Sequence, residues 1–325
     1  MTKSSALGDL ETSEKLIYDL YIDLRRRINS WASITKQTAQ ARMGYIGQHL
    51  VSVVTGYPGG RSGARGKDLV LPGGKHAEIK TCYRVDQLGK CNQCGEVVAS
   101  IEQECPVCGS QDLKRNDDSK WLISIRHNEE YGMILDPTYY YLVLFDFTEL
   151  NNPHTIRASI WQVKSARPGF AYCLIDYYEN IRANSKSKAP FNLWPFSLKF
   201  DLMYPELIYR SFIFADNTMK TETFPGRDRP VPPSVFDITA YLGAKGLTVQ
   251  ALTEFARQVG LSEELPSKRP ALVESIRTHL VDAELPTEEV FDILATSLYW
   301  TAIEKAVPSL PESLCDKLGS AGLLR

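Results

Sequence analysis

The chain has almost no excess charge: 37 Lys and Arg stand against 39 Asp and Glu, a formal net charge of −2 over 325 residues. That balance excludes a globally basic coat, so any surface for a polyanion has to be a local patch. No apolar run approaches the ~20 residues of a membrane span. The opening residues, Met1-Thr2-Lys3-Ser4-Ser5, lack the apolar core of a signal peptide. A soluble, cytoplasmic protein with no membrane partner is therefore expected. No P-loop is present, so nothing supports ATP-driven chemistry. No internal repeat is evident either. What is present suffices for two domains and a sizeable core.

Seven cysteines in such a compartment argue against a disulfide framework and toward metal or free thiols. Four of them form two knuckles, Cys91-Asn92-Gln93-Cys94-Gly95 and Cys105-Pro106-Val107-Cys108-Gly109. Zinc takes four thiolates tetrahedrally, and a filled shell leaves no position for a reacting water. A structural Zn²⁺ in a compact ribbon, inserted over residues 85–118, is expected at Cys91, Cys94, Cys105 and Cys108. Gln93, Gln103, Gln111, Lys114, Arg115 and Asn116 can either touch DNA or solvate the ribbon. Cys82, Cys173 and Cys315 read as small buried apolar residues.

Just before that insertion, Lys67 to Lys80 runs K-D-L-V-L-P-G-G-K-H-A-E-I-K. Pro72-Gly73-Gly74 predicts a hairpin turn. Strand alternation puts Glu78 and Lys80 on one face, and cross-strand pairing can bring Asp68 beside them. Two carboxylates and an ammonium at one sheet edge suit a hard divalent cation, a phosphate and an attacking water. The acidic-x-Lys tripeptide alone is weak, since it recurs at Asp112-Leu113-Lys114 and Asp118-Ser119-Lys120. Only the first copy has apolar strand residues around it. The bland alternative is a surface hairpin with an ordinary Glu–Lys pair. Upstream, Gly59 to Lys67 combines glycines with Arg61, Arg65 and Lys67, charge that can lie along a phosphate backbone or merely decorate a flexible loop.

The Asp68…Glu78-x-Lys80 pattern resembles the site of the PD-(D/E)XK nuclease superfamily. Gly63 to Cys82, followed by the cysteine insertion, is similar to the MamI-like group of type II restriction endonucleases. The resemblance is firmest over residues 45–165. It implies an α/β fold, a restriction-endonuclease-like mixed sheet flanked by helices. It implies Mg²⁺ at Asp68, Glu78 and the Ile79 carbonyl, with Lys80 acting on the hydrolytic water and products ending in 5′-phosphate. It further implies a homodimer on double-stranded DNA, within a restriction–modification pair. The cognate methyltransferase would act on the same sequence without needing to bind this chain. Such folds often place a glutamate on the preceding helix, and here that position is Gln48.

Around the hairpin, a helix is expected over 13–32 with Ser13 as its cap, and another over about 36–54. Tyr139–Phe147 is the strongest strand. Ala183–Ala189 is a polar basic loop. Residues 1–223 are expected to form the nuclease core. Phe224-Pro225-Gly226 through Pro233 marks a linker, taken as 224–236, before a helical C-terminal domain over 237–325. Within it, 247–281 resembles a SAP-type helix–extended–helix module, with Thr248 capping the first helix and Gly260 ending it. In that family the start of the second helix meets phosphate, which here points to Lys268 and Arg269; a plain helical hairpin is the alternative. The expected activity is Mg²⁺-dependent, sequence-specific cleavage of duplex DNA. A repair or junction-resolving nuclease and a non-catalytic zinc-ribbon DNA-binding protein remain alternatives.

Overall fold

The computed structural model describes residues 7–35, 37, 41–60, 67–125, 134–232, 238–244, 247–261, 264–310, 312–320, 322 and 324. The chain separates into two compact units, and neither is continuous in sequence. The first comprises Met1–Trp121, Tyr139–Gln162 and Glu206–Val231; the second comprises Leu122–Thr138, Val163–Pro205 and Pro232–Arg325.

The first unit holds a six-stranded mixed sheet in the order β1-β2-β7-β8-β10-β11. Its strands are β1 (Leu69–Val70), β2 (His76–Tyr83), β7 (Tyr139–Phe147), β8 (Thr155–Lys164), β10 (Glu206–Phe214) and β11 (Met219–Thr223). β1 pairs antiparallel with β2, and β2 pairs parallel with β7. The aromatic and branched run of β7 is buried along almost its whole length, as its composition predicts for a central strand. Alternation sends Ala77 and Ile79 of β2, and Tyr141, Val143 and Phe145 of β7, into one hydrophobic core with Ile17, Ile46, Leu50 and Val54. Glu78 and Lys80 consequently belong to the opposite side of β2.

The helices on that core are α1 (Leu10–Ile17), α2 (Leu24–Thr35) and α3 (Met43–Thr55), with a wider-wound turn over Tyr18–Asp23 joining the first two. The cap of α1 is Asp9, whose carboxylate accepts the Thr12 amide at 2.7 Å. Ser13, expected in that role, is buried inside the helix and donates to the Leu10 carbonyl. Asp9 takes the role because it reaches the free amides of a turn that starts three residues earlier. Gly47 lets α3 close onto β2, because a Cβ there would lie 2.1 Å from the Thr81 hydroxyl.

The expected insertion forms its own three-stranded sheet, β4-β3-β5, from β3 (Leu88–Cys91), β4 (Val97–Ala99) and β5 (Leu113–Lys114). It is tied to the rest of the unit by Arg25 of α2, which makes one ion pair with Asp86, just past β2, and a second with Glu102 of the insertion at 2.6 Å.

Apart from the six-stranded sheet, β6 (Trp121–Ile123) pairs with β9 (Phe191–Leu193) in a two-stranded sheet. In the second unit helices predominate. The helix Pro168–Ile175 buries every residue from Gly169 to Ile175 and packs on the long helix Thr287–Ala306, as does Val249–Gln258. Thr248 caps the latter through the Ala251 amide at 3.2 Å, and Gly260 follows it at φ +89°, both as expected. Among the described residues no helix is long and apolar enough to cross a membrane.

Candidate active site

The register Leu69↔Ala77 sets Asp68 opposite Glu78, and the turn that makes this possible has left-handed Gly73 and Gly74 (φ +71° and +76°). Asp68 then receives two hydrogen bonds. The Ile79 amide donates to one carboxylate oxygen at 2.9 Å, and the Gln48 side-chain amide donates to the other at 3.1 Å. Gln48 therefore does reach the site, and it does so as a donor.

Lys80 makes an ion pair with one oxygen of Glu78. The other oxygen of Glu78 is buried and has no hydrogen-bond partner among the described residues. A carboxylate oxygen removed from water without a donor is costly, and a bound cation relieves that cost. Burial pushes the Asp68 carboxyl above its ordinary value, Glu78 pushes it further, and the Ile79 amide and Lys80 partly restore it. The two acids thus repel each other across a cramped, half-dry corner.

Tyr140 completes this corner and was not legible beforehand. The parallel register places it beside Glu78, and it is only 2% exposed. Burial, then the negative charges of Glu78 and Asp68, raise its hydroxyl well above the usual tyrosine range. Its position follows from pairing between strands more than fifty residues apart, for which the sequence carries no local signal.

Of the expected basic loop, Lys67 is exposed next to Asp68, while Arg61 and Arg65 lie outside the described residues. The base of that loop is pinned: Gly60 donates to the Asp68 carbonyl at 2.9 Å, and Val70 donates to Pro58 at 3.0 Å.

The four thiols Cys91, Cys94, Cys105 and Cys108 converge, with all their sulfurs within 4.8 Å of one another. Cys91 to Cys108 and Cys94 to Cys105 each measure 3.6 Å, close to the ~3.8 Å edge of a zinc tetrathiolate with Zn–S bonds of about 2.3 Å. The knuckles match in detail. Gly95 and Gly109 donate to the carbonyls of Cys91 and Cys105 at 3.0 and 2.9 Å. Backbone amides of Cys94 and Gln93 pull the Cys91 thiol below its usual range. The donor set fits zinc and provides no open position. Arg115 spends its guanidinium on the carbonyls of Ser100 and Glu102, whereas Gln93, Gln111 and Lys114 are exposed. Cys82 and Cys173 are buried as expected; Cys315 is only half-buried.

Lys268 is exposed at the start of the helix Arg269–Asp282. Arg269 points inward, donating to the carbonyls of Leu247 and Ala244 at 3.1 and 2.8 Å.

Comparison with known proteins returns the family model described as MamI restriction endonuclease, matching residues 30–237. That span contains Gln48, Asp68, Glu78, Lys80, Tyr140 and all four clustered cysteines. A stretch of 85 residues is 36% identical to the type II restriction enzyme MamI of Microbacterium ammoniaphilum, covering 24% of this chain and 26% of that enzyme. The chain thus matches about a quarter of the length of this curated relative. No solved structure matches.

Proposed function

The chain belongs to the MamI restriction endonuclease family, and from that premise we propose that it is a type II enzyme hydrolysing phosphodiester bonds of duplex DNA at a specific sequence. The observation that carries the reading is the unpartnered, buried oxygen of Glu78 beside the doubly hydrogen-bonded carboxylate of Asp68. Asp68, Glu78 and the carbonyl of Ile79 would hold Mg²⁺. When bound, that ion supplies Lewis-acid polarisation of the phosphoryl group and a more acidic water.

The rest of the chemistry belongs to the chain. Glu78 holds the Lys80 ammonium in place, and Lys80 positions the hydrolytic water and balances charge that builds on the phosphoryl oxygens. Ile79 and Gln48 fix the orientation of Asp68, so that little reorganisation is needed when substrate arrives. In-line attack leaves 5′-phosphate and 3′-hydroxyl ends. Cys91, Cys94, Cys105 and Cys108 would bind Zn²⁺ as a structural ion. Arg61, Arg65 and Lys67, with Lys268, would meet phosphates. A homodimer would present one such site to each strand. A partner methyltransferase would protect the same sequence.

Incubation with phage DNA and Mg²⁺, followed by end mapping, tests this directly. Discrete fragments with 5′-phosphate ends are expected, and both Glu78→Gln and Lys80→Ala should abolish them while largely sparing DNA binding. Retained cutting by either variant removes that residue from the mechanism. Absence of cleavage on any duplex would favour a DNA-binding role without catalysis, and cleavage confined to branched DNA would favour junction resolution.

A further inference from the structure

Three non-glycine residues among those described have left-handed backbone: Asn217, Tyr204 and Phe196. Two have local explanations. Asn217 sits in the β10–β11 turn, where asparagine tolerates this region. Tyr204 is held by packing, its ring 5.0 Å beneath the Arg167 guanidinium and 6.4 Å from Phe291. Phe196 differs. It is 48% exposed, and its neighbour Trp194 is 41% exposed. An aromatic residue gains nothing intrinsic from a positive φ, and such strain concentrates at functional positions.

The turn that carries this pair is rigid. The Ser197 hydroxyl donates to the Trp194 carbonyl at 2.7 Å and accepts the Phe200 amide at 3.3 Å. The Phe196 ring meets that of Phe200 edge-on at 5.8 Å. Behind it, the buried Tyr178 hydroxyl accepts the amides of Ile125 and Phe191 and donates to Ile123 at 2.6 Å, so β6 and β9 form a fixed base.

The approach to β9 is basic. Between Ala183 and Phe200 the chain has three lysines and no acid. Lys199 is engaged by Asp176 at 3.5 Å. Lys186 and Lys188 are exposed. Serine hydroxyls order the loop around them: Ser185 accepts the Ser187 amide at 3.1 Å, and Ser187 accepts the Ala189 amide at 3.3 Å. Tyr177 anchors the end of the loop through the Ala189 carbonyl at 3.0 Å. A pair of exposed aromatics on a hydrogen-bonded turn, with two exposed lysines on the loop that leads into the same strand, matches the chemistry of a base-stacked polyanion: ammonium groups for phosphates, ring faces for bases.

We propose that the Trp194-Pro195-Phe196 turn, with Lys186 and Lys188, is a duplex-DNA contact that wedges its rings against an opened base step. This rests on the nuclease reading above and deepens it by naming where bases are met. Rigidity lowers the entropy cost of presenting the rings, and Phe196 keeps about half of its surface open to solvent while its ring edge rests on Phe200.

The test uses the full chain, a mixed-sequence duplex of about three helical turns carrying 2-aminopurine, and EDTA to withhold cleavage. Phe196→Gly should keep or raise the melting temperature, since glycine adopts this φ freely. It should also weaken binding about tenfold and remove the fluorescence rise of the opened step. Trp194→Ala, at an unstrained position, should weaken binding similarly. The pair Lys186→Ala/Lys188→Ala should flatten the slope of log K against log salt by about 1.8. Wild-type binding and salt slope in all these variants would overturn the proposal. So would loss of self-association with DNA affinity unchanged, which would assign the turn to a second copy of the chain. Wild-type protein that neither binds nor cuts any duplex would instead sink the underlying nuclease reading.

Discussion

The side-chain amide of Gln48 donates to the Asp68 carboxylate across 3.1 Å, from a helix held against β2 at Gly47. An uncharged residue therefore orients an acid. Hydrogen bonds to charged groups contribute about 1.5–3 kcal/mol, so Gln48→Ala should slow cleavage about ten- to a hundredfold. It should also reduce the rise in melting temperature expected from the proposed Mg²⁺ binding. An unaltered Mg²⁺ titration would take Gln48 out of the site.

Asp68 and Glu78 crowd each other in a half-buried corner, and burial already disfavours the charge on Asp68. The neutral variant Asp68→Asn should therefore melt higher than wild type in EDTA at neutral pH, while losing cleavage and the stabilisation by Mg²⁺. Thermal denaturation with and without the cation measures both. A lower melting temperature in EDTA would mean that the carboxylate is stabilising on balance.

The cysteine tetrad should hold about one zinc ion per chain, countable by a chelator dye after thiol oxidation. Cys91 and Cys105 are the buried heart of the ribbon's own small core, so Cys91→Ser should release the ion and open residues 88–114 to protease. A protease-resistant, metal-free ribbon would refute the assignment.

Arg25 is the half-buried partner of two acids, Asp86 and Glu102. Arg25→Ala takes the guanidinium away from both, and breaking a buried pair from one side costs at most about 3–5 kcal/mol. A denaturant midpoint shift of that size, with the ribbon zinc retained, is the expected outcome; a shift near zero would show that water replaces the guanidinium.

Asp201 has its carboxyl raised from 3.8 to about 6 by burial, although Tyr241 donates to it and pulls the other way. A raised pKa in the folded chain means that the stabilising contribution is complete below 3.8 and is lost as pH rises through about 6. Asp201→Asn should remove this decline and stabilise the protein at neutral pH. Melting temperatures across that window check the sign.

Much of this was legible from residue types in a row. The alternation of Glu78 and Lys80, the glycine turn, the paired knuckles, the aromatic run of β7 and the Thr248 cap are all local patterns, and local patterns survive folding. What was hidden depends on partners remote in sequence. Tyr140 enters the site only through the parallel register with β2. Arg269 looks like a free cation until the carbonyls of Ala244 and Leu247 come to meet it. The strand Trp121–Ile123 finds its mate some seventy residues on, at Phe191–Leu193, outside the six-stranded sheet. Asp9 outcompeted Ser13 as a cap because a helix start is a contest among nearby oxygens, decided by which amides are left open.

Each compact unit is woven from three separate stretches of the chain, and the buried helix Pro168–Ile175 leans on Thr287–Ala306, more than a hundred residues downstream. Deleting everything after residue 231 would bare that greasy face and invite clumping. The tail consequently cannot be traded between relatives as a detachable cassette; any chimera has to carry the middle stretch and the tail together.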